Sequence, residues 1–461
     1  MDLLLTHGYF LLEDEAEKRI MKPYPPLGIL YISSYLKSKG FDVNVFDTTF
    51  KQTSDFFTFI DTHRPSVVGI YVNLMTKLKA LEIIRYCKQQ GSTVIVGGPD
   101  VPEYAEDYIR YGADVAVLGE GETTMEELLP ALLANHNLDA ITGIVFRNDS
   151  DAIIRNNQRA LLQDLDSLPL PDRDAIDICE YINTWKVHHD MGSVSLICAR
   201  GCPFTCTWCS RSVFGETHRR RSPKNVVTEI ELLLETYKPD MLWFADDVFT
   251  IHHKWFYEFY DEMKRRNIRI PFECISRADR LNEDILKKMA DLGSFRIWFG
   301  SESGSQRILD AMQRRVSTEE ILHITHLAQH YGIQIGLFVM LGYPGEEISD
   351  IVATAEHLKN AGADTFLTTL AYPIKGTEFY HEVEHQLKNG MAWAEGTDRN
   401  LKFSGRYSDS FYWFANRFIT NEVQSHNLRK SKQTSFIKTT SSFAKAKIAR
   451  IGMELTKTAR S

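Results

Sequence analysis

The chain has 461 residues, 43% of them hydrophobic and 25% charged, with a formal net charge of −8. That length exceeds one ordinary core, so two or three domains are expected. The composition is that of a globular protein, the charge gives no global reason to expect nucleic acid, and no run reaches the roughly 18 apolar residues of a membrane span. The opening run MDLLLTHGYF has an acid at Asp2 and no basic stretch before its apolar residues. It does not read as a secretion signal, and the cytoplasm is the expected compartment. Of seven cysteines, three fall within eight positions, which favours metal ligation over disulfides.

In chain order, the first expected domain is 1–140. Apolar runs at 2–6, 43–47, 67–72, 93–97 and 115–119 alternate with helical patterns such as 27–39 and 77–90. Unbroken strands separated by helices predict a doubly wound parallel sheet of α/β class, Rossmann-like in layout. Ligands of such sheets bind at the carboxyl ends of the strands. Glycines collect there: Gly8 after the first run, Gly97 and Gly98 after the fourth, Gly119 beside Glu120 after the fifth. A residue without Cβ lets the backbone turn sharply or approach a bulky ligand; for any one of them an ordinary turn is the plainer explanation. Residues 141–190 read as a linker, with a hairpin of 141–147 and 152–154 and then the proline-punctuated Leu168-Pro-Leu-Pro-Asp172.

A second alternating region is expected over 191–385. Its candidate strands are 193–198, 241–244, 272–275, 295–300, 334–341 and 365–371, with helical patterns between them. Six such units predict a partial (β/α)6 barrel of TIM type, with its chemistry at the carboxyl ends of the strands. Residues 386–461 read as a helical extension. Phe411-Tyr-Trp-Phe414 within it is expected to pack over the barrel mouth.

The loop after the first barrel strand reads Cys202-Pro-Phe-Thr-Cys206-Thr-Trp-Cys209. Thiolates are the ligands of iron–sulfur clusters, and three of them leave one iron of a cubane open to a reactant. A structural zinc site with Cys198 as fourth ligand is the alternative. It lacks the separated second pair or histidines that such sites use.

This C-x3-C-x2-C spacing, with Trp208 before the third cysteine, resembles the signature of radical S-adenosylmethionine enzymes. The resemblance implies a [4Fe–4S] cluster on Cys202, Cys206 and Cys209, with S-adenosylmethionine on the fourth iron. Reduction then cleaves the cofactor to a 5′-deoxyadenosyl radical. It further implies cofactor contacts from Trp208, from Asp246 and Asp247 after the second strand, and from Arg277 after the third. Glu302 after the fourth and Gly342 after the fifth complete the set. Pro25-Pro-Leu-Gly28, Gly97-Gly98-Pro99 and Leu118-Gly-Glu-Gly-Glu122 resemble the cobalamin-binding domain fused to many of these enzymes. That implies cobalamin near His7, Gly8, Gly28, Gly97, Gly98, Gly119 and Glu120. The fused branch usually binds cobalamin without a histidine ligand, and Asp100 stands where relatives often have His.

The branch implies a methyltransferase acting on a small-molecule or lipid substrate, fed by a low-potential electron donor such as flavodoxin or ferredoxin. The layout is also similar to the anaerobic magnesium-protoporphyrin IX monomethyl ester cyclase, which implies oxidation and ring closure instead. Methylthiotransfer to transfer RNA is disfavoured, because only Cys87 and Cys179 precede the barrel and no strand-rich nucleic-acid-binding module follows it. A metal-stabilised binding protein is the non-enzymatic alternative. From 425 to 461 nine Lys/Arg face one acid, Glu454, with Ile448, Ile451 and Leu455 on one helical face. Such a tail reads either as a peripheral contact with an anionic membrane or as a solvated tail.

Overall fold

The computed structural model describes residues 1–388, 391–430 and 436–457, with the backbone alone for 436 and 437. The five amino-terminal apolar runs form β1 (Leu3–His7), β2 (Val43–Phe46), β3 (Val67–Tyr71), β4 (Thr93–Gly97) and β5 (Val115–Val117). Successive strand residues point to opposite faces. Val94 and Val96 therefore enter one core cluster with Ile84 and Tyr108, while Ile95 enters another with Leu36 and Leu128. Both faces are covered, which is why these strands read as continuous apolar runs.

The hairpin expected in the linker is present as β6 (Ile144–Arg147) and β7 (Ile153–Arg155). It is part of the sheet rather than a free connection. The order is β2-β1-β3-β4-β5-β6-β7, with β6 antiparallel to β5 and β7 antiparallel to β6. Ile144, Val145 and Phe146 are buried, and β6 covers an edge that β5 would otherwise leave open. The same stretch also holds a helix, Ile178–His189, that the proline pattern obscured. The Asp177 side chain caps it by accepting from Glu180 N, and it buries Tyr181, Ile182 and Trp185.

Next come β8 (Ser193–Leu196), a short antiparallel pair of β9 (Ala199–Arg200) and β10 (Arg219–Arg220), then β11 (Met241–Phe244), β12 (Phe272–Ser276), β13 (Ser294–Glu302), β14 (Gln334–Leu341) and β15 (Thr365–Leu370). The six main strands lie in the order β15-β14-β13-β12-β11-β8, and β12 to β15 pair in parallel. Each step along that order is taken through a helix, for example Pro223–Thr236, Glu283–Leu292 or Ile348–Ala361. This is the partial-barrel pattern expected. Two helices, Asp409–Lys430 and Phe436–Thr456, form the carboxyl-terminal part. Lys432 and Arg460, counted in the basic tail, lie outside the described residues. No helix among the described residues is long and apolar enough to cross a membrane.

Contacts divide the chain into two compact units. One is Met1–Pro203 with Ser210–Trp243 and Met391–Arg399; the other is Phe204–Cys209 with Phe244–Gly390 and Asn400–Ser461. Within the first unit, Trp393 packs edge-on against Tyr108 with ring centroids 4.8 Å apart, and Tyr104 donates to Asp398 at 2.6 Å. The buried Lys77 Nζ lies 4.4 Å from the Trp393 ring centroid, a cation–π contact. The first unit also holds a buried ion-paired group, in which Glu229 takes Arg173 on one oxygen at 2.7 Å and Arg221 on the other.

Candidate active site

The Cys202–Cys209 loop follows β9. Cys202 is half-buried, Cys206 buried and Cys209 exposed. Among the described residues no three Cys, His, Asp or Glu side chains are gathered as a ready metal cage. The loop supplies three soft donors in order, and a bound metal is what draws such sulfurs together. Cys198, the fourth ligand of the zinc alternative, is fully buried.

The loop is anchored within the second unit. Thr207 N donates to Met312 O at 3.3 Å, Thr207 Oγ1 shares a 2.7 Å hydrogen bond with Tyr343 Oη, and Phe379 N donates to Thr207 O. Trp208 is half-buried against a cluster that includes Met312, Tyr343 and Phe379. The aromatic before the third cysteine therefore ties the loop to the ends of β14 and of the helix Gln306–Ala311.

Two guanidinium groups converge on Cys206. Arg277 Nη1 lies 3.8 Å and Arg314 Nη1 4.0 Å from its Sγ. Positive charge beside this sulfur suits a thiolate ligand. Arg277 is held on every side: Nε pairs with Asp279 at 2.7 Å, Nη2 donates to Arg314 O at 2.9 Å, and the guanidinium stacks 3.7 Å from the Phe204 ring centroid. Arg314 belongs to no motif. It sits between Gln313 and Arg315, both left-handed at φ 51° and 52°, and donates to Gly300 O. Its only sequence trace is the Arg314-Arg315 pair after a short helix.

Glu302 completes this group. Its register in β13 shifts between Gly300 and Glu302, and its φ is 52°. A non-glycine residue in that region is strained and is commonly held there at a functional site. A Cβ on residue 300 would lie 2.0 Å from Glu302 Oε1, so only glycine lets the carboxyl fold back. Burial raises the Glu302 carboxyl to about 7, although Arg314 and Arg277 oppose the rise. The result is a buried, ionisable acid beside two fixed cations at the carboxyl ends of β12 and β13.

The remaining barrel candidates lie on the same edge. Asp246 and Asp247 follow β11; Asp246 is buried. Asp247 reaches solvent, yet dense surroundings and the Asp246 charge raise its carboxyl. Gly342 follows β14 at φ 80°, and a Cβ there would meet Leu370 at 2.8 Å and Tyr412 at 3.1 Å. The aromatic run of the extension thus reaches this strand end through Tyr412. Gly342 N donates to Glu346 Oε2 at 2.7 Å, and burial raises the Glu346 carboxyl to about 8.

In the amino-terminal domain the candidates separate by local chemistry. Both His7 nitrogens are engaged inside the fold. Nδ1 accepts from Tyr9 N at 3.2 Å, which leaves Nε2–H to donate to Asp47 at 2.9 Å. With the ring 3% exposed, His7 has the contacts of a structural histidine. Glu120 is similarly committed, because its oxygens take Arg200, Arg219 and Leu162 N at 2.8 Å each. Gly8 and Gly98 are required by crowding from the protein itself. A Cβ would lie 2.8 Å from Thr76 O at the first and 2.4 Å from Val72 O at the second. Gly28, Gly97 and Gly119 have their nearest neighbours at 3.9, 3.8 and 3.5 Å, so these three leave room for close approach.

Two family models match the chain. The one described as the B12 binding domain matches residues 19–129, and the one described as the Radical SAM superfamily matches residues 196–358. The chain is 29% identical over 395 residues to an uncharacterized methyltransferase of Pyrococcus horikoshii, covering 83% of this chain and 84% of that protein. It is 26% identical over 374 residues to the anaerobic magnesium-protoporphyrin IX monomethyl ester cyclase of Rubrivivax gelatinosus, covering 78% of this chain and 66% of that one. Its fold is similar to that of the radical S-adenosylmethionine methyltransferase TsrM from Kitasatospora setae, solved with cobalamin and a [4Fe–4S] cluster bound. The TM-score is 0.73 at 17% identity, over 98% of this chain and 99% of that one.

Proposed function

The chain is a radical SAM enzyme with an amino-terminal B12-binding domain, and from that premise we propose that it methylates an unactivated centre of a small-molecule or lipid substrate. What supports the cofactor chemistry is the pair Arg277 and Arg314 beside Cys206, with the buried Glu302 coupled to both, and what supports methyl transfer is the similarity to a methyltransferase. When bound, the cofactors would supply one-electron cleavage of S-adenosylmethionine at a [4Fe–4S] cluster and a methyl carrier in cobalamin.

The chain's own residues fit these groups. Cys202, Cys206 and Cys209 would hold the irons. Arg277 and Arg314 would offset the negative charge of the thiolates and place positive charge near the cofactor carboxylate. Glu302 is placed to accept from its ammonium group, and a proton held at Glu302 below about pH 7 would be released on pairing. Asp246 and Asp247 offer further acceptors. Gly342, closed over by Leu370 and Tyr412, would border its adenine at the end of β14, while Gly28, Gly97 and Gly119 leave backbone room for the corrin. Arg277 and Glu302 are buried, which keeps bulk water from their charged groups. A low-potential donor of flavodoxin or ferredoxin type would deliver the electron.

Oxidation and ring closure is the second reading, supported by the similarity to the cyclase. Reconstituted enzyme would be incubated anaerobically with methyl-labelled S-adenosylmethionine and candidate substrates. Label in the product supports methyl transfer, and an unlabelled oxidised product refutes it. Iron without cobalt after reconstitution in the presence of cobalamin would remove the cobalamin-dependent form.

A further inference from the structure

The last described helix, Phe436–Thr456, has two faces with different tasks. Its inner face, against the helix Asp409–Lys430, is built mostly of small residues. Ser442, Ala446, Ala449, Gly452 and Met453 are all buried, and a Cβ on residue 452 would lie 2.4 Å from the Phe414 ring. Close packing through this face is the helix's attachment to the second unit. Its outer face therefore takes no part in that core, yet it is apolar: Ile448, Ile451 and Leu455 are 64%, 59% and 75% exposed.

At about 100° per residue these three side chains fall within about 60° of one another. By the same count Lys447 flanks the stripe at about 40° on one side and Lys445 at about 60° on the other. Both lysines are exposed. From 438 to 457 the helix and its end carry five basic residues, Lys438, Lys445, Lys447, Arg450 and Lys457, against the single acid Glu454, which is itself paired with Lys457 at 2.7 Å. Exposed branched apolar side chains between lysines, on a helix already fixed by its other face, match the chemistry of a bilayer interface. The apolar stripe enters the acyl boundary and the ammonium groups meet anionic headgroups.

We propose that the outer face of this helix is a peripheral docking surface for an anionic lipid bilayer. The charge pattern selects this occupant, because a second copy of the same face would bring lysine against lysine. The proposal stands apart from the catalytic reading and survives its failure. The test is co-sedimentation of the full-length protein with vesicles of phosphatidylcholine alone and of phosphatidylcholine containing about one third phosphatidylglycerol. Binding is expected to the anionic vesicles only and is released by high salt. The double variant Lys445→Glu/Lys447→Glu should bind at least about 25-fold more weakly, from about fivefold per basic residue. The triple variant Ile448→Ser/Ile451→Ser/Leu455→Ser should bind at least about tenfold more weakly. Thermal unfolding of both variants should match the parent, since every altered side chain is exposed. Absence of binding to anionic vesicles overturns the proposal, as does a triple variant that binds like the parent. Self-association of the parent that the triple variant loses would assign the face to a second copy and overturn it equally.

Discussion

Replacing Glu302 with glutamine should raise stability and lower cofactor affinity at once. Burial moves this carboxyl from 4.5 to about 7, a difference worth about 3 kcal/mol at roughly 1.4 kcal/mol per tenfold. The folded state binds the proton more tightly than the unfolded chain, so folding is favoured below about pH 4.5 and loses that advantage as pH rises to about 7. Glutamine retains the neutral form at every pH. Glu302→Gln should therefore be about 3 kcal/mol more stable than the parent at pH 8, or about 6 °C in Tm at roughly 2 °C per kcal/mol, and the gap should close as pH falls toward about 4.5. Thermal unfolding of iron-free protein between pH 5 and pH 8.5, followed by circular dichroism, measures this. On the proposed role of Glu302 the same variant also loses a charged acceptor for the S-adenosylmethionine ammonium, and its affinity should fall about 10–100-fold. Parallel unfolding curves for parent and variant across the range would refute the reasoning, because they would show that Glu302 is not ionising in a buried site.

Changing any one of Cys202, Cys206 or Cys209 to serine should reduce iron content well below about four per chain after reconstitution, read by metal analysis and visible absorption. Arg277→Lys removes both the fork to Arg314 O and the stack on Phe204, and activity should fall about 10–100-fold with less iron retained. Glu229→Leu strands two buried guanidinium groups and should cost about 3–5 kcal/mol by chemical unfolding. Because those cations hold the Glu229 carboxyl below its ordinary range, the parent's advantage over Glu229→Leu is present above about pH 4.5 and shrinks as pH falls through that window. His7→Ala should lower Tm while leaving the spectrum of added cobalamin unchanged; a shift in the cobalt ligand-field bands would show instead that His7 reaches the metal.

Period and punctuation made most of the fold legible. Buried parallel strands such as Thr93–Gly97 read as apolar runs because both faces are covered, and the six barrel strands announced themselves in the same way. The linker was harder. Proline after residue 168 signalled a break, but the adjoining segment became sheet and helix because Phe146 and Trp185 had cores to enter, which no local pattern encodes. The site divided along similar lines. Arg277 and Glu302 were visible through their position after strands. Arg314 was not, because it reaches Cys206 across 108 positions from an irregular loop. In the other direction, Glu120 and His7 occupy suggestive strand ends, while their partners Arg200, Arg219 and Asp47 come from segments whose convergence only the folded chain reveals.

The return of Met391–Arg399 to the first unit orders events on the ribosome. The sheet β1–β7 and its helices are complete once Trp243 has been made, but Trp393 and Asp398 arrive roughly 150 residues afterwards. At about 5–20 residues per second that interval lasts on the order of ten to thirty seconds. Throughout it Lys77 lacks the indole above it, and Tyr104 lacks its carboxylate acceptor. A nascent chain paused before residue 393 therefore carries a nearly finished first sheet with one socket unfilled. A gene cut at codon 243 would leave the same socket unfilled permanently, so the two units of this protein are not separable by a single boundary.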